Sequence, residues 1–171
     1  NDQFDASTSN SLNDTDELTG GAGTDTLTVS ATGSKTLTPQ TTGIESLIVT
    51  NSSTGGTALI FNLEDEADFN SLTNVSSTDD VTFNNLNSIP TLTLNTTIDT
   101  TTVNFESAAL LAGTDDSMTI NLKGLASSTI ALTSDDATGA SDLETINIVT
   151  SSAASVLTDL QSTGVDTTTV N

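Results

Sequence analysis

The sequence predicts an all-β protein, folded as a right-handed parallel β-solenoid with short helical turns. Groups of alternating apolar and polar residues begin roughly every ten to thirteen positions, the spacing expected of a solenoid, sandwich or barrel. The chain is rich in Thr and 33% hydrophobic, which favours ordered β-structure over disorder. A β-sandwich is the alternative, although the Asn-Gly and Asp-Gly turns of two-residue hairpins are scarce.

Alternation identifies the strands, and turn-forming residues separate them. The predicted strands are 26–29, 34–37, 45–50, 57–63, 80–83, 91–94, 101–105, 117–122, 128–132, 144–149 and 167–170. Residues 42–50 and 141–150 resemble each other, since in both an apolar residue and Glu precede an alternating strand. Such partial echoes are typical of stacked turns.

Two segments depart from the two-residue period and are predicted to be short helices or helical turns. In residues 63–72, Asn62 would be the N-cap and the acidic residues would occupy the first turn. In residues 105–113, Gly113 would end the helix in a left-handed conformation.

The composition excludes several functional classes. The 171 residues include 23 acidic and 2 basic side chains, for a formal net charge of -21, and no His, Cys, Tyr or Trp. Disulfides, thiolate or His-ligated metal sites and Ser-His-Asp catalysis are therefore impossible. The charge disfavours nucleic acid and anionic membranes as partners, and no segment is apolar enough for direct membrane insertion. Carboxylates alone remain for catalysis without aromatic platforms for a sugar, so we expect no enzyme.

The most informative segment is the glycine-rich turn Gly20-Gly21-Ala22-Gly23-Thr24-Asp25, followed by the strand Thr26-Leu27-Thr28. It fits the nine-residue repeat in which glycine turns and an aspartate bind calcium. Glycines allow backbone carbonyls to converge, and Asp25 would supply a hard carboxylate oxygen. Degraded copies precede it, at residues 14–19 with Asp14 and Asp16, and at residues 1–4 with Asp2.

These residues resemble the calcium nonapeptides of type I-secreted RTX proteins, and among them the bacterial surface-layer (S-layer) proteins. The resemblance is specific over residues 1–29 and stylistic over the Thr/Asn-rich residues 30–171. It implies Ca²⁺ as the cofactor, Asp16 and Asp25 as side-chain ligands, and Gly20, Gly21 and Gly23 as turn residues that supply carbonyl oxygens. It also implies calcium-stabilised β-structure outside the cell.

Three further acidic pairs lie in predicted turns. Asp is favoured in turns because its side chain bonds backbone groups, but paired acids also bind calcium. The candidate pairs are Asp79-Asp80, Asp115-Asp116 and Asp135-Asp136. A cluster at residues 64–68 has the same two interpretations, a solvated face or an ion site.

Thr-x-Thr pairs, such as Thr26/Thr28 and Thr91/Thr93, resemble the hydroxyl ranks of ice-binding solenoids. Their irregular spacing along the chain argues against a single array. The sequence therefore predicts strands with apolar residues inside and Thr outside.

We expect an RTX-like unit at residues 1–29 and a β-solenoid domain at 30–171, forming one continuous part of a longer chain. The expected function is structural, in a calcium-dependent S-layer or similar cell-surface assembly, with other copies of the chain as lattice partners. Cell-surface polysaccharide would be bound through other parts of the parent chain. The alternative is a segment of a calcium-dependent RTX adhesin that binds a glycan, host or ice surface.

Overall fold

The computed structural model describes residues 1–64, 68–110, 115–135, 142–151, 154–165, 167 and 169–171, and within them the chain forms strands and no helix. The strands, in chain order, are Gln3–Ala6 (β1), Glu17–Thr19 (β2), Thr26–Ala31 (β3), Lys35–Leu37 (β4), Gln40–Thr42 (β5), Ser46–Asn51 (β6), Leu59–Asn62 (β7), Ser71–Val75 (β8), Val81–Leu86 (β9), Thr91–Asn95 (β10), Ile98–Phe105 (β11), Ser117–Lys123 (β12), Ser127–Ser134 (β13), Thr145–Thr150 (β14), Leu157–Thr163 (β15) and Thr169–Val170 (β16).

Most strands belong to two parallel sheets. The first sheet has the order β1-β3-β6-β8-β10-β12-β14-β16, and the second has the order β15-β13-β11-β9-β7-β4. The strands β2 and β5 form a separate two-stranded sheet. From β3 onward the chain alternates between the two large sheets, with β5 between β4 and β6, and about six turns stack into a solenoid.

All strand pairings among the described residues are parallel, which confirms the β-solenoid prediction and excludes the sandwich with antiparallel hairpins for this part of the chain. The first sheet runs without interruption from β1 to β16, so residues 1–29 are the first turns of the same stack. Neighbouring turns are 20 to 30 residues apart in sequence.

The core lies between the two large sheets. Alternate strand residues point inward, as in β3, where Leu27, Val29 and Ala31 are buried while the intervening side chains are half-buried. Phe61 and Phe83 are adjacent and fully buried in the second sheet, with ring centroids 6.2 Å apart. Burial of each such side chain stabilises the fold by about 1.5–3 kcal/mol.

Neither of the two segments predicted to be helical forms a helix over the residues that the structure describes. Residues 65–67 and 111–114 lie outside the description, but Ser71 and Leu72 belong to strand β8, and residues 107–109 form a turn. Leu63, Phe69 and Leu110 are buried in the hydrophobic core. The apolar residues of these segments, whose spacing resembled that of a helix, are therefore core residues of a chain that bends between strands.

Candidate functional site

The acidic residues lie mainly at the turns. The strands of the first sheet from β3 to β14 carry no acidic residue. Carboxylates at the turns instead accept hydrogen bonds from backbone N–H groups, often of a neighbouring turn. The negative charge of the chain is therefore concentrated along the edges where the strands begin and end.

The predicted glycine turn lies directly before β3 and against the following turn of the solenoid. The Gly20 N–H donates to the Thr42 carbonyl oxygen at 2.9 Å. A methyl group on Gly20 would lie 2.1 Å from the Gly43 carbonyl oxygen and 2.8 Å from Asp25 Oδ2. Gly20 is thus required by close approach, whereas Gly21 is required by its φ of 81°.

Asp25 is fully buried beside this turn. Its Oδ1 accepts a hydrogen bond from the Asp2 N–H, and the Asn1 nitrogen lies 3.6 Å from the same oxygen. Among the described residues, its Oδ2 is the one buried side-chain oxygen or nitrogen without a hydrogen-bond partner. Because buried polar atoms are almost always satisfied, this oxygen indicates a further ligand at the turn.

The next turn contributes oxygen atoms around Asp25. The Asp25 N–H donates to Glu45 Oε2 at 2.7 Å. One turn further on, before β8, Asp68 Oδ2 accepts a hydrogen bond from the Gly43 N–H at 2.7 Å. The Gly43 carbonyl oxygen and Asp25 Oδ2 both line the space beside Gly20. Carboxylate and carbonyl oxygens are the donors that Ca²⁺ prefers, so the chemistry of this bend fits a calcium ion. Asp25 Oδ2 and the Gly43 carbonyl would hold it.

The same arrangement recurs at the other end of the solenoid. The Asp116 N–H donates to Glu144 Oε2 at 2.7 Å, as the Asp25 N–H does to Glu45. Both Glu residues directly precede a strand of the first sheet. The resemblance between residues 42–50 and 141–150 therefore has a structural cause, a carboxylate that caps the N–H of the preceding turn.

The upstream candidates are placed around the first turns. Asp2 contacts Asp25 through its backbone N–H. Asp14 Oδ1 accepts from the Thr38 N–H at 2.9 Å, and Asp16 Oδ2 accepts from the Asn13 N–H at 2.9 Å. These carboxylates of Asp14 and Asp16 each fix a loop. Gly23 lies next to Asn1, whose Oδ1 a methyl group on Gly23 would approach to 2.5 Å.

Asp79 and Asp80 form a cluster with Asp99, which the sequence analysis did not identify. One carboxylate oxygen from each of the three lies within 4.8 Å of the others, a separation that a metal ion could bridge. Asp79 Oδ2 accepts from the N–H groups of Gly56 and Thr57 at 3.0 and 2.9 Å, and these bonds already satisfy it.

The cluster also shifts two pKa values. The pKa of the Asp79 carboxyl is lowered, chiefly by the hydrogen bond that it accepts from the Thr57 N–H, although burial acts in the opposite direction and raises it. Desolvation raises the pKa of Asp99, and the hydrogen bond and negative charge of Asp80 and the charge of Asp79 raise it further. Asp99 also has a φ of 80°, uncommon for a residue other than glycine.

The remaining acidic pairs are Asp115-Asp116 and Asp135-Asp136. Asp115 is exposed, while Asp116 uses its backbone in the Glu144 bond. Asp135 Oδ1 accepts from the Ser107 N–H at 2.5 Å, and Asp136 lies outside the described residues. The bonds of Asp135 correspond to the ordinary role of Asp at a turn.

The sequence analysis missed Gly43, Glu45 and Asp99 as parts of these sites, whereas Asp68 belongs to the acidic cluster at residues 64–68 that it gave as a solvated face or an ion site. The echo between residues 42–50 and 141–150 was the available signal for Glu45. Gly43 and Asp99 gave none, because they reach their positions through a register between turns of unequal length.

Comparison of the chain with protein-family models, curated proteins and solved structures gives no match. In the part of the chain that the structure describes, no helix has the length and apolarity needed to span a membrane.

Proposed function

We propose that this chain is a calcium-stabilised structural solenoid of a bacterial cell-surface assembly of the S-layer kind, with other copies of the chain as its partners outside the cell. The observation that carries the proposal is the buried, unpartnered Asp25 Oδ2 beside the Gly43 carbonyl oxygen. The resemblance of residues 20–28 to calcium nonapeptides supports the same metal.

The physical argument concerns the cost of the buried carboxylate. An ionised oxygen without a partner in the protein interior destabilises the folded state. A bound cation satisfies this oxygen, offsets part of the charge of -21 and links two successive turns. Calcium that binds only the folded chain stabilises it by mass action, by about 2.7 kcal/mol at a concentration 100 times the dissociation constant.

The proposed role is mechanical, since a stack of parallel strands provides a rigid rod. Low calcium would keep the acidic chain loose, and the millimolar calcium outside the cell would fold it. Calcium ions bridging acidic turns of neighbouring copies would then support a lattice.

The experiment compares thermal unfolding in EGTA and in millimolar calcium. We expect calcium to raise the melting temperature of the wild-type chain and to raise it much less for Asp25→Asn. The control is Asp159→Asn, which removes one charge from an exposed position in β15 and should keep the full calcium effect. Equal melting temperatures of the wild-type chain in EGTA and calcium would refute the calcium role.

Assembly is tested separately by light scattering and electron microscopy of the calcium-loaded protein. Ordered sheets or filaments that dissolve in EGTA are expected. A chain that folds with calcium but stays monomeric at all concentrations would contradict the lattice role and leave the calcium role intact.

A further inference from the structure

The outer face of the first sheet carries two ranks of side chains in register, all of them Ser or Thr except Ile48. In the first rank, Thr26 pairs with Ser46, Ser46 with Ser71, and Ser71 with Thr91. These four residues occupy the outward positions of β3, β6, β8 and β10, where the neighbouring inward positions are Leu.

The second rank lies two residues further along the same strands. Thr28 pairs with Ile48, Ile48 with Thr73, and Thr73 with Thr93. We call the two ranks together the hydroxyl face. Neighbouring strands are about 4.8 Å apart and alternate residues of a strand about 6.6 Å apart, so the ranks form a two-dimensional grid.

The Thr and Ser residues of the two ranks are irregularly spaced in sequence, which argued against a single array. The segments between the strands differ in length and bring these residues into register. Thr26 and Ser46 are 20 residues apart, and Ser46 and Ser71 are 25 residues apart, yet they are neighbours in the sheet. The pairings of the first sheet contain no register shift, whereas the second sheet has shifts between Val103 and Phe105 and between Ser128 and Thr129. The first sheet is therefore the regular surface.

The hydroxyl face is also uncharged, although the chain has a net charge of -21. The charged residues of the first sheet are Asp5 in β1, which pairs with Thr28 at the end of the second rank, and Lys123 at the end of β12. The side chains of the face are half-buried, except for Thr93, which is buried and whose hydroxyl accepts a hydrogen bond from the Asn121 amide. The β-branched Thr side chains have few rotamers. The groups on the grid are thus held in place before any partner arrives.

The chemistry of the face selects among possible partners. A protein interface normally has Trp, Tyr or Arg anchors, and the chain contains no Trp or Tyr and none of these anchors on the face. The face also has no aromatic ring on which a sugar could stack. What it offers is hydroxyl and methyl groups repeated at fixed intervals, which fit a partner that is itself a neutral, repeating hydrogen-bonding lattice.

We infer that the hydroxyl face binds the surface of ice. Water molecules at an ice surface form a neutral lattice with repeats of comparable size, so hydroxyl groups in register can join it while methyl groups fill the spaces between. Many weak contacts then act together without a single anchoring residue. This inference goes beyond the structural role and requires only that the solenoid be folded.

The test measures how much protein enters a slowly growing ice crystal from a calcium-containing solution, together with the melting–freezing gap of ice. The wild-type chain is expected to be enriched in the ice, while Thr73→Lys, at the centre of the second rank, should be excluded. The matched control is Thr82→Lys, at the half-buried outer position of β9 between Ile60 and Thr102, and it should enter the ice like the wild-type chain.

Circular dichroism confirms that each variant is folded, and Ser46→Lys replaces Thr73→Lys if the latter is not. Exclusion of the folded wild-type chain from ice overturns the inference. Equal behaviour of the face variant and Thr82→Lys also overturns it. A face that instead drives self-association in sedimentation, or retention on polysaccharide, without ice enrichment is an interface of another kind and equally contradicts it.

Discussion

Asp79 shows how a single carboxylate is used in this fold. It is buried and accepts hydrogen bonds from Gly56, Thr57 and Asp80, and the pKa of its carboxyl lies below the ordinary value of 3.8. Because these bonds favour the charged form, its ionisation stabilises the folded chain.

The pH dependence of unfolding tests this role. A lowered folded-state pKa means that the stabilisation is present above pH 3.8 and is lost as the pH falls through the lower folded-state value. We therefore expect Asp79→Asn to lower the free energy of unfolding in urea at pH 7 and to differ less from the wild-type chain at pH 3. A difference that is the same at both values would contradict this account.

The pKa of Asp99 is shifted in the opposite direction to that of Asp79. Its pKa is raised, so its ionisation above pH 3.8 costs stability. Asp99→Asn should raise the melting temperature at pH 7 in EGTA, since Asn also tolerates the φ of 80°. If the cluster with Asp79 and Asp80 binds calcium, the gain disappears in calcium; Asp159→Asn controls for the loss of one charge. A melting temperature lowered in EGTA would show that the carboxylates do not repel one another.

At this scale the sequence identified Asp25 and its glycine turn, because a local nine-residue pattern contains both. It could not identify Gly43 or Glu45 as neighbours, since their contacts with residues 20–25 depend on the length of the intervening turn. Asp99 was missed for the same reason, 20 residues after its partner Asp79 in sequence and adjacent to it in space.

At the scale of the elements, a Glu before a strand caps the N–H of the preceding turn. Glu45 and Glu144 do so at opposite ends of the first sheet. The N–H of the fully buried Asp25 has the Glu45 carboxylate as its acceptor.

Removal of this cap has a measurable cost. We expect Glu45→Ala to reduce the free energy of unfolding by about 1–3 kcal/mol, the usual cost of an unsatisfied buried donor. Glu45→Gln should cost less, because its amide oxygen still accepts. Glu17→Ala, on the exposed edge of β2, serves as the control for charge. Equal stability of Glu45→Ala and Glu17→Ala in urea would show that the cap contributes nothing.

Alternation predicted most of the long strands but failed for two. In β15, Leu157 and Leu160 are three residues apart in sequence and break the period of two. The pairing of β15 with β13 has a register shift between Ser128 and Thr129, which accommodates this spacing. The start of β8 was predicted to be helical because of the acidic residues and Phe69 that precede it, although Leu72 pairs with Leu47 of β6 in the sheet. Contacts between turns decided both cases, and a single sequence does not display them.

At the scale of the molecule, each turn of the solenoid packs only on its neighbours. The free energy of unfolding is therefore approximately a sum of contributions from the individual turns and the interfaces between them. Aliphatic and Phe side chains form a continuous core through the stack. The repeated alternation made this architecture predictable, even though the turns are too unequal for a strict sequence repeat.

Truncation of a central ring should weaken several turns at once. Phe83→Ala removes a fully buried ring next to Phe61, and we expect a loss of about 3–5 kcal/mol in the free energy of unfolding. Phe4→Ala, at the half-buried terminal strand β1, should cost clearly less. Hydrogen exchange should show lost protection in β7, β9 and β11 for Phe83→Ala. Equal losses for the two variants would contradict a core centred on the middle turns.

The most direct test of the account is a crystal structure grown in calcium, with anomalous scattering used to locate the ion. We predict a calcium peak about 2.3–2.6 Å from both Asp25 Oδ2 and the Gly43 carbonyl oxygen. A crystal grown in the same calcium solution that shows no ion at this bend, and in which Asp25 Oδ2 is bonded to a protein N–H or to water, would contradict the central claim.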